Sequence, residues 1–67
     1  MRWYSNYQSG VGHKFEIEFD EFAGYYFYAS GGTLEPYDGL QDTLSFAKEE
    51  ALEEYGVPLE SWVQVEA

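Results

Sequence analysis

The chain has no cysteine, one histidine and three basic residues in 67. Each scarcity removes a class of protein. Without cysteine there is no disulfide framework and no thiolate zinc site. A single His13 cannot build a histidine-rich metal centre. With so few lysines and arginines there is no basic face to grip phosphate, so direct binding to DNA or RNA is excluded as the expected activity. Long apolar runs are missing too. No stretch approaches the roughly 18 apolar residues that a spanning helix needs, and an anionic bilayer would repel the chain. The opening MRWYSNYQSG lacks the apolar run and small-residue site of a signal peptide, so the expected compartment is the cytoplasm.

What is present is acid and aromatic. Thirteen Asp and Glu against three Lys and Arg give a formal net charge of −10, and seven Tyr, five Phe and two Trp make up 21% of the residues. Disordered acidic tails are poor in aromatics, so this is the composition of a small acidic globule. The length allows one domain with a modest core, residues 1–67. Large rings compensate for that size, because each can bury more area than Ala or Val.

Residues 14–20, KFEIEFD, alternate without a break. Phe15, Ile17 and Phe19 point one way; Lys14, Glu16, Glu18 and Asp20 point the other. Glu21 to Gly24 reads as a turn. Residues 25–30, YYFYAS, are strong strand formers, so 14–30 is expected to be an antiparallel hairpin. Residues 31–38 read as a loop. Asp38 and Gln41 have capping-box spacing, which predicts a helix over 38–56 ending at Gly56, with Pro58 beyond. Its apolar stripe is Leu40, Leu44, Ala47, Ala51 and Tyr55, flanked by Leu52. Residues 61–66 alternate again as a final strand. Residues 1–12 are either an N-terminal arm or an edge strand through Trp3, Tyr4 and Tyr7. The predicted fold is α+β: a three-stranded antiparallel sheet with one helix on one face, ββαβ, two layers, and the last strand beside the first.

The acids are arranged in stripes. Glu16, Glu18 and Asp20 share the face away from the core, at roughly 6.6 Å intervals, with Glu21 next to them. On the helix, Asp42, Phe46, Glu49 and Glu53 form a second stripe, widened by Glu50 and Glu54. Glu49 with Glu53, and Glu50 with Glu54, are like-charge pairs at i,i+4, each destabilising by roughly 0.2–0.5 kcal/mol. A sequence shaped only for stability would intersperse lysine and arginine. Phe46 within its stripe, and Tyr26 and Tyr28 beside Glu16 and Glu18, have the character of interface anchors. The plainer alternatives are that a loop or the N-terminal arm covers Phe46 and that tyrosine simply suits strands.

No catalytic constellation accompanies this. EIEFDE does not match the spacing of a calcium loop, no serine sits in a nucleophile-elbow context, and the glycines match no phosphate-binding fingerprint. His13 reads as a surface group. The expectation is therefore a binder with no catalytic, cofactor or metal site.

In size, charge and aromatic content, carried by KFEIEFDEF and DTLSFAKEEALEEYG, the chain resembles phage-encoded DNA-mimic inhibitors, including small anti-CRISPR proteins. The resemblance is one of character over the whole chain. It implies an acidic inhibitor, a monomer or small homo-oligomer, that occupies a basic nucleic-acid-binding surface, such as that of a CRISPR effector in a host cell. Its contact residues would be Glu16, Glu18, Asp20, Glu21, Tyr26, Tyr28, Asp42, Phe46, Glu49 and Glu53. A second resemblance covers about half the chain: FDEFAGYYFYASGG followed by GLQDTLSFAKEEALEEYG is similar to the hairpin-then-helix core of HicB-type antitoxins. It departs from that family at TLEPYDG, which lacks a Pro-Gly-Cys-like segment. It implies an antidote to a small basic ribonuclease toxin. A third reading takes the acidity as serving solubility alone.

Overall fold

The computed structural model describes residues 1–8 and 10–65. Five strands and one helix follow the order β1 (Arg2–Ser5), β2 (Lys14–Asp20), β3 (Gly24–Ser30), β4 (Tyr37–Gln41), α1 (Leu44–Tyr55) and β5 (Trp62–Val65), with a short 3-10 turn at Leu59–Ser61. The strands form one antiparallel sheet in the order β4-β3-β2-β1-β5. The α+β class holds. The three-stranded sheet expected from the sequence is corrected to five strands.

Both additions have physical causes. Strand β3 is rich in rings and would leave a row of unpaired backbone groups if it lay at the edge. Tyr37–Gln41 covers that edge, pairing from Tyr25↔Gln41 to Ala29↔Tyr37. The Asp38 capping box is thereby overruled. Asp38 lies in a strand, and the helix starts at Leu44, capped by Thr43, whose Oγ1 accepts from Phe46 N at 3.1 Å. At the other side, Trp3 is 7% exposed and inserts its strand between β2 and β5. Residues 2–5 of the arm thus form an interior strand, not an edge strand, and the last strand lies beside it instead of beside β2. Ser9 in the arm and Glu66 in the expected final strand lie outside the described residues.

The β2–β3 hairpin runs in register from Lys14↔Ser30 to Asp20↔Gly24. Asp20 Oδ1 ties its turn, accepting from Phe22 N at 2.8 Å and Ala23 N at 3.1 Å. Phe15, Ile17, Phe27 and Ala29 point to the covered face and are buried, while Phe19, at the end of the strand, packs on Tyr25 with ring centres 5.0 Å apart.

Helix α1 meets these rings with its smallest residues. Ala47 and Ala51 are buried, and Leu44 and Tyr55 pack at the margins. Small side chains on the helix let it sit close to a sheet face of large ones, the dense complementarity of a protein interior. Tyr55 touches Phe15 at 5.5 Å, Phe27 at 6.0 Å and Tyr37 at 5.8 Å. The helix stops at Gly56, whose φ of 73° is left-handed and whose N–H donates to Leu52 O at 2.9 Å. Leu40, expected on the helix stripe, belongs to β4 and is 49% exposed on the sheet's other side.

Candidate functional site

Because α1 covers one face of the sheet, the other is left without a covering element among the described residues. Period-two alternation decides which side chains stand there, and the strand register decides their neighbours. Two rows cross the sheet. One runs Asp38, Tyr28, Glu16, Tyr4, Val63; the other runs Leu40, Tyr26, Glu18, Arg2, Val65. Carboxylates, phenols and aliphatic groups are thus interleaved on one surface, with Tyr4, Leu40, Val63 and Val65 all exposed.

The rings of Tyr26 and Tyr28 stack, with centres 6.0 Å apart and planes 17° from parallel. Burial of the Tyr28 hydroxyl, followed by the negative charge of Glu18, raises its pKa above the usual phenol value. Arg2 Nη2 lies 3.6 Å from Glu18 Oε2, with both side chains about half exposed, so this pair contributes about 0–1 kcal/mol. Glu16 and Glu18 take the places the alternation predicts. Asp20 has a structural task as the acceptor of the hairpin turn, and Glu21 follows it, exposed in the same turn.

The second acidic surface lies on the helix side. Phe46 is 53% exposed, and with Gln41, Glu49, Glu50, Glu53 and Glu54 it lines a shallow, mainly polar cleft. Glu50 is tied down there. Tyr37 Oη donates to its Oε2 at 2.5 Å, and Gln41 Nε2 donates to its Oε1 at 3.3 Å. That bond, helped by burial and by the carboxylate's charge, pushes the Tyr37 pKa up to about 12. Gly39 makes room for it, because a Cβ at that position would collide with the Glu50 carboxylate. Asp42 precedes the helix instead of lying on it, so the expected stripe is reduced to Phe46, Glu49 and Glu53.

Of the ten residues singled out in the sequence, seven fall into two groups on opposite sides of the sheet, while Asp20 and Glu21 sit at the hairpin turn and Asp42 before the helix. A single flat partner can meet Glu16, Glu18, Tyr26 and Tyr28, or Phe46, Glu49 and Glu53, but not both. Sequence reasoning missed Tyr4, Asp38 and Leu40 as members of the open face. Tyr4 alternates with the buried Trp3, a signal present but short; Asp38 and Leu40 were hidden by the rival helix pattern.

His13 is half-buried, with its ring edge-on to Phe15 at 6.4 Å, where the sequence suggested a surface group. Among the described residues no cluster of three or more His, Cys, Asp or Glu could hold a metal ion. No helix among them is long and apolar enough to cross a membrane. Comparison with protein-family models, with curated proteins and with solved structures gives no match to this chain.

Proposed function

We propose that this chain is an acidic protein-binding inhibitor that occupies a basic nucleic-acid-binding surface of another protein, a DNA mimic of the anti-CRISPR kind. The observation that carries the reading is charge left uncompensated where compensation would be easy. Helix α1 has no basic residue in its last turn, although Glu49/Glu53 and Glu50/Glu54 repel at i,i+4 and the helix dipole there favours cations. The bare sheet face adds Glu16 and Asp38 beside Tyr4 and Tyr28, with Glu18 offset only by its half-exposed pair with Arg2. Such a field speeds encounter with a cationic cleft and disfavours anionic partners. A CRISPR effector's DNA-gripping surface is one cleft of that type.

The test is competition. The chain is used to capture its target from host lysate, and duplex DNA is then added. A decoy is displaced by DNA, and its affinity falls steeply with salt as ion pairs are screened. A complex that DNA leaves intact sinks the reading.

A second reading is favoured by one observation. The segment that resembles HicB-type antitoxins runs from the end of β2 through the turn and β3 and on to α1 in that order, with β4 starting inside the divergent loop. On this reading the chain covers a small basic ribonuclease. Co-expression that restores growth to cells carrying such a nuclease, with DNA having no effect on the complex, selects it over the decoy.

A further inference from the structure

The row Asp38, Tyr28, Glu16, Tyr4 alternates carboxylate and phenol across four strands. Neighbouring strands lie about 4.8 Å apart, so Tyr28 has a carboxylate one strand away on each side, and Glu16 has a ring on each side. Tyr28 is held in place by its stack on Tyr26. Its neutral phenol ring offers a π face between the two anions.

The occupant of such a surface is constrained by charge. A second copy would bring Glu16 and Asp38 against another chain of net charge −10, and nucleic acid is repelled for the same reason. Among cationic side chains, lysine is a compact point charge that suits one carboxylate. Arginine is planar. It can lie over a phenol ring and, from its edge, donate N–H groups to a carboxylate beside that ring. The helix side offers less, since Glu50 is already held by Tyr37 and Gln41, and Phe46 is the lone ring of its cleft.

We infer that the open sheet face is an arginine-reading surface, on which guanidinium groups of a basic protein partner lie over Tyr28 and Tyr4 and donate to Glu16 and Asp38. This rests on the acidic-inhibitor reading for its partner. It narrows that reading to one side of the molecule and one residue type.

The full chain, labelled with ¹⁵N, is titrated with two peptides that differ only in side chain: a glycine-spaced tetra-arginine and the matching tetra-lysine. The arginine peptide shifts the amides of Tyr4, Glu16, Tyr28 and Asp38 and binds about fivefold more tightly than the lysine peptide. Tyr28→Leu abolishes that preference and Tyr28→Phe, which keeps the ring, retains it. Tyr4→Leu gives a second reading of the same effect, and far-UV circular dichroism verifies that each variant is folded. Equal binding of the two peptides, or shifts confined to residues 49–54, overturns the inference and leaves the decoy reading standing. The converse is also distinguishable: an arginine preference on the sheet, with a captured target that DNA fails to displace, removes the decoy and keeps the surface.

Discussion

The two faces of the sheet carry rings in unequal number and in different company, the covered face having more of them than the open one. On the covered face Phe15 and Phe27 are sealed, and Trp3, Tyr25, Tyr37 and Trp62 surround them. There each ring meets other rings, as Phe27 meets Tyr37, Tyr55 and Trp62 within 6.3 Å. On the open face the rings are all tyrosines, and their cross-strand neighbours include Glu16, Glu18 and Asp38. The first arrangement spends its aromatic area on folding. The second leaves that area partly open to water and places charge beside it, which also keeps two such faces from stacking on each other. Aromatic content alone therefore says little about core size in this chain; the partner of each ring decides its role.

The strongest test of that contrast lies in two adjacent residues. Phe27→Ala removes a fully buried ring and is expected to cost about 3–5 kcal/mol. The whole domain has about 3–10 kcal/mol to lose, at roughly 0.05–0.15 kcal/mol per residue. Urea titration followed by Trp3 and Trp62 fluorescence should show this variant largely unfolded at low denaturant. Tyr28→Ala, one residue on but half-buried on the open face, should cost much less, about 1 kcal/mol. Equal losses at the two positions would mean that the open face is part of the folding core.

Legibility in the sequence followed the same division. The hairpin was readable because KFEIEFD and YYFYAS are long enough for a period of two to stand out. The face assignment of Phe27 against Tyr26 and Tyr28 follows from that period. Strand β4 was not readable. YDGLQ contains Asp and Gly, which are poor strand formers, and its reason for existing is the edge of β3 that it pairs with. The capping pattern beginning at Asp38 competed with a Thr43 cap five residues on, and only tertiary pairing chose between them. Strand β1 has four residues, too few for a pattern, and is held by pairing with β2 and β5 on its two sides and by the buried Trp3. The open-face rows were beyond reach for a further reason: register is a property of pairs of strands, and residues as distant as Tyr4 and Asp38 come to flank the Glu16–Tyr28 pair only through it.

A middling effect is expected where the helix meets β4. The Tyr37 pKa is about 12 against an ordinary 10.0. A phenol whose folded pKa is raised contributes its stability in full below the unfolded value, and loses it as pH climbs from about 10 to about 12. Unfolding titrations at about pH 8, 10 and 11.5 should therefore show a decline in that window. Tyr37→Phe should cost about 1 kcal/mol near neutrality, the worth of a typical hydrogen bond, and should shallow the alkaline decline. An unchanged alkaline slope in this variant would assign the decline to other phenols and detach Tyr37 from Glu50.

The smallest effect bears most directly on which face makes the contact. Glu53→Lys replaces a repulsive Glu49/Glu53 pair with an attractive one of favourable orientation, and adds a cation near the helix C-terminus. The gain is expected to be about 0.5 kcal/mol, shrinking as salt is raised. Thermal melts at low and high ionic strength measure it. Because Glu53 stands across the molecule from Tyr28, the same substitution should leave affinity for the arginine peptide close to that of the unmodified chain, whereas Glu16→Lys should lower it several-fold. Were Glu53→Lys the more damaging of the two, the binding surface would move to the helix, and the interleaved acids and rings of the sheet would be left with the task of keeping copies of the chain apart.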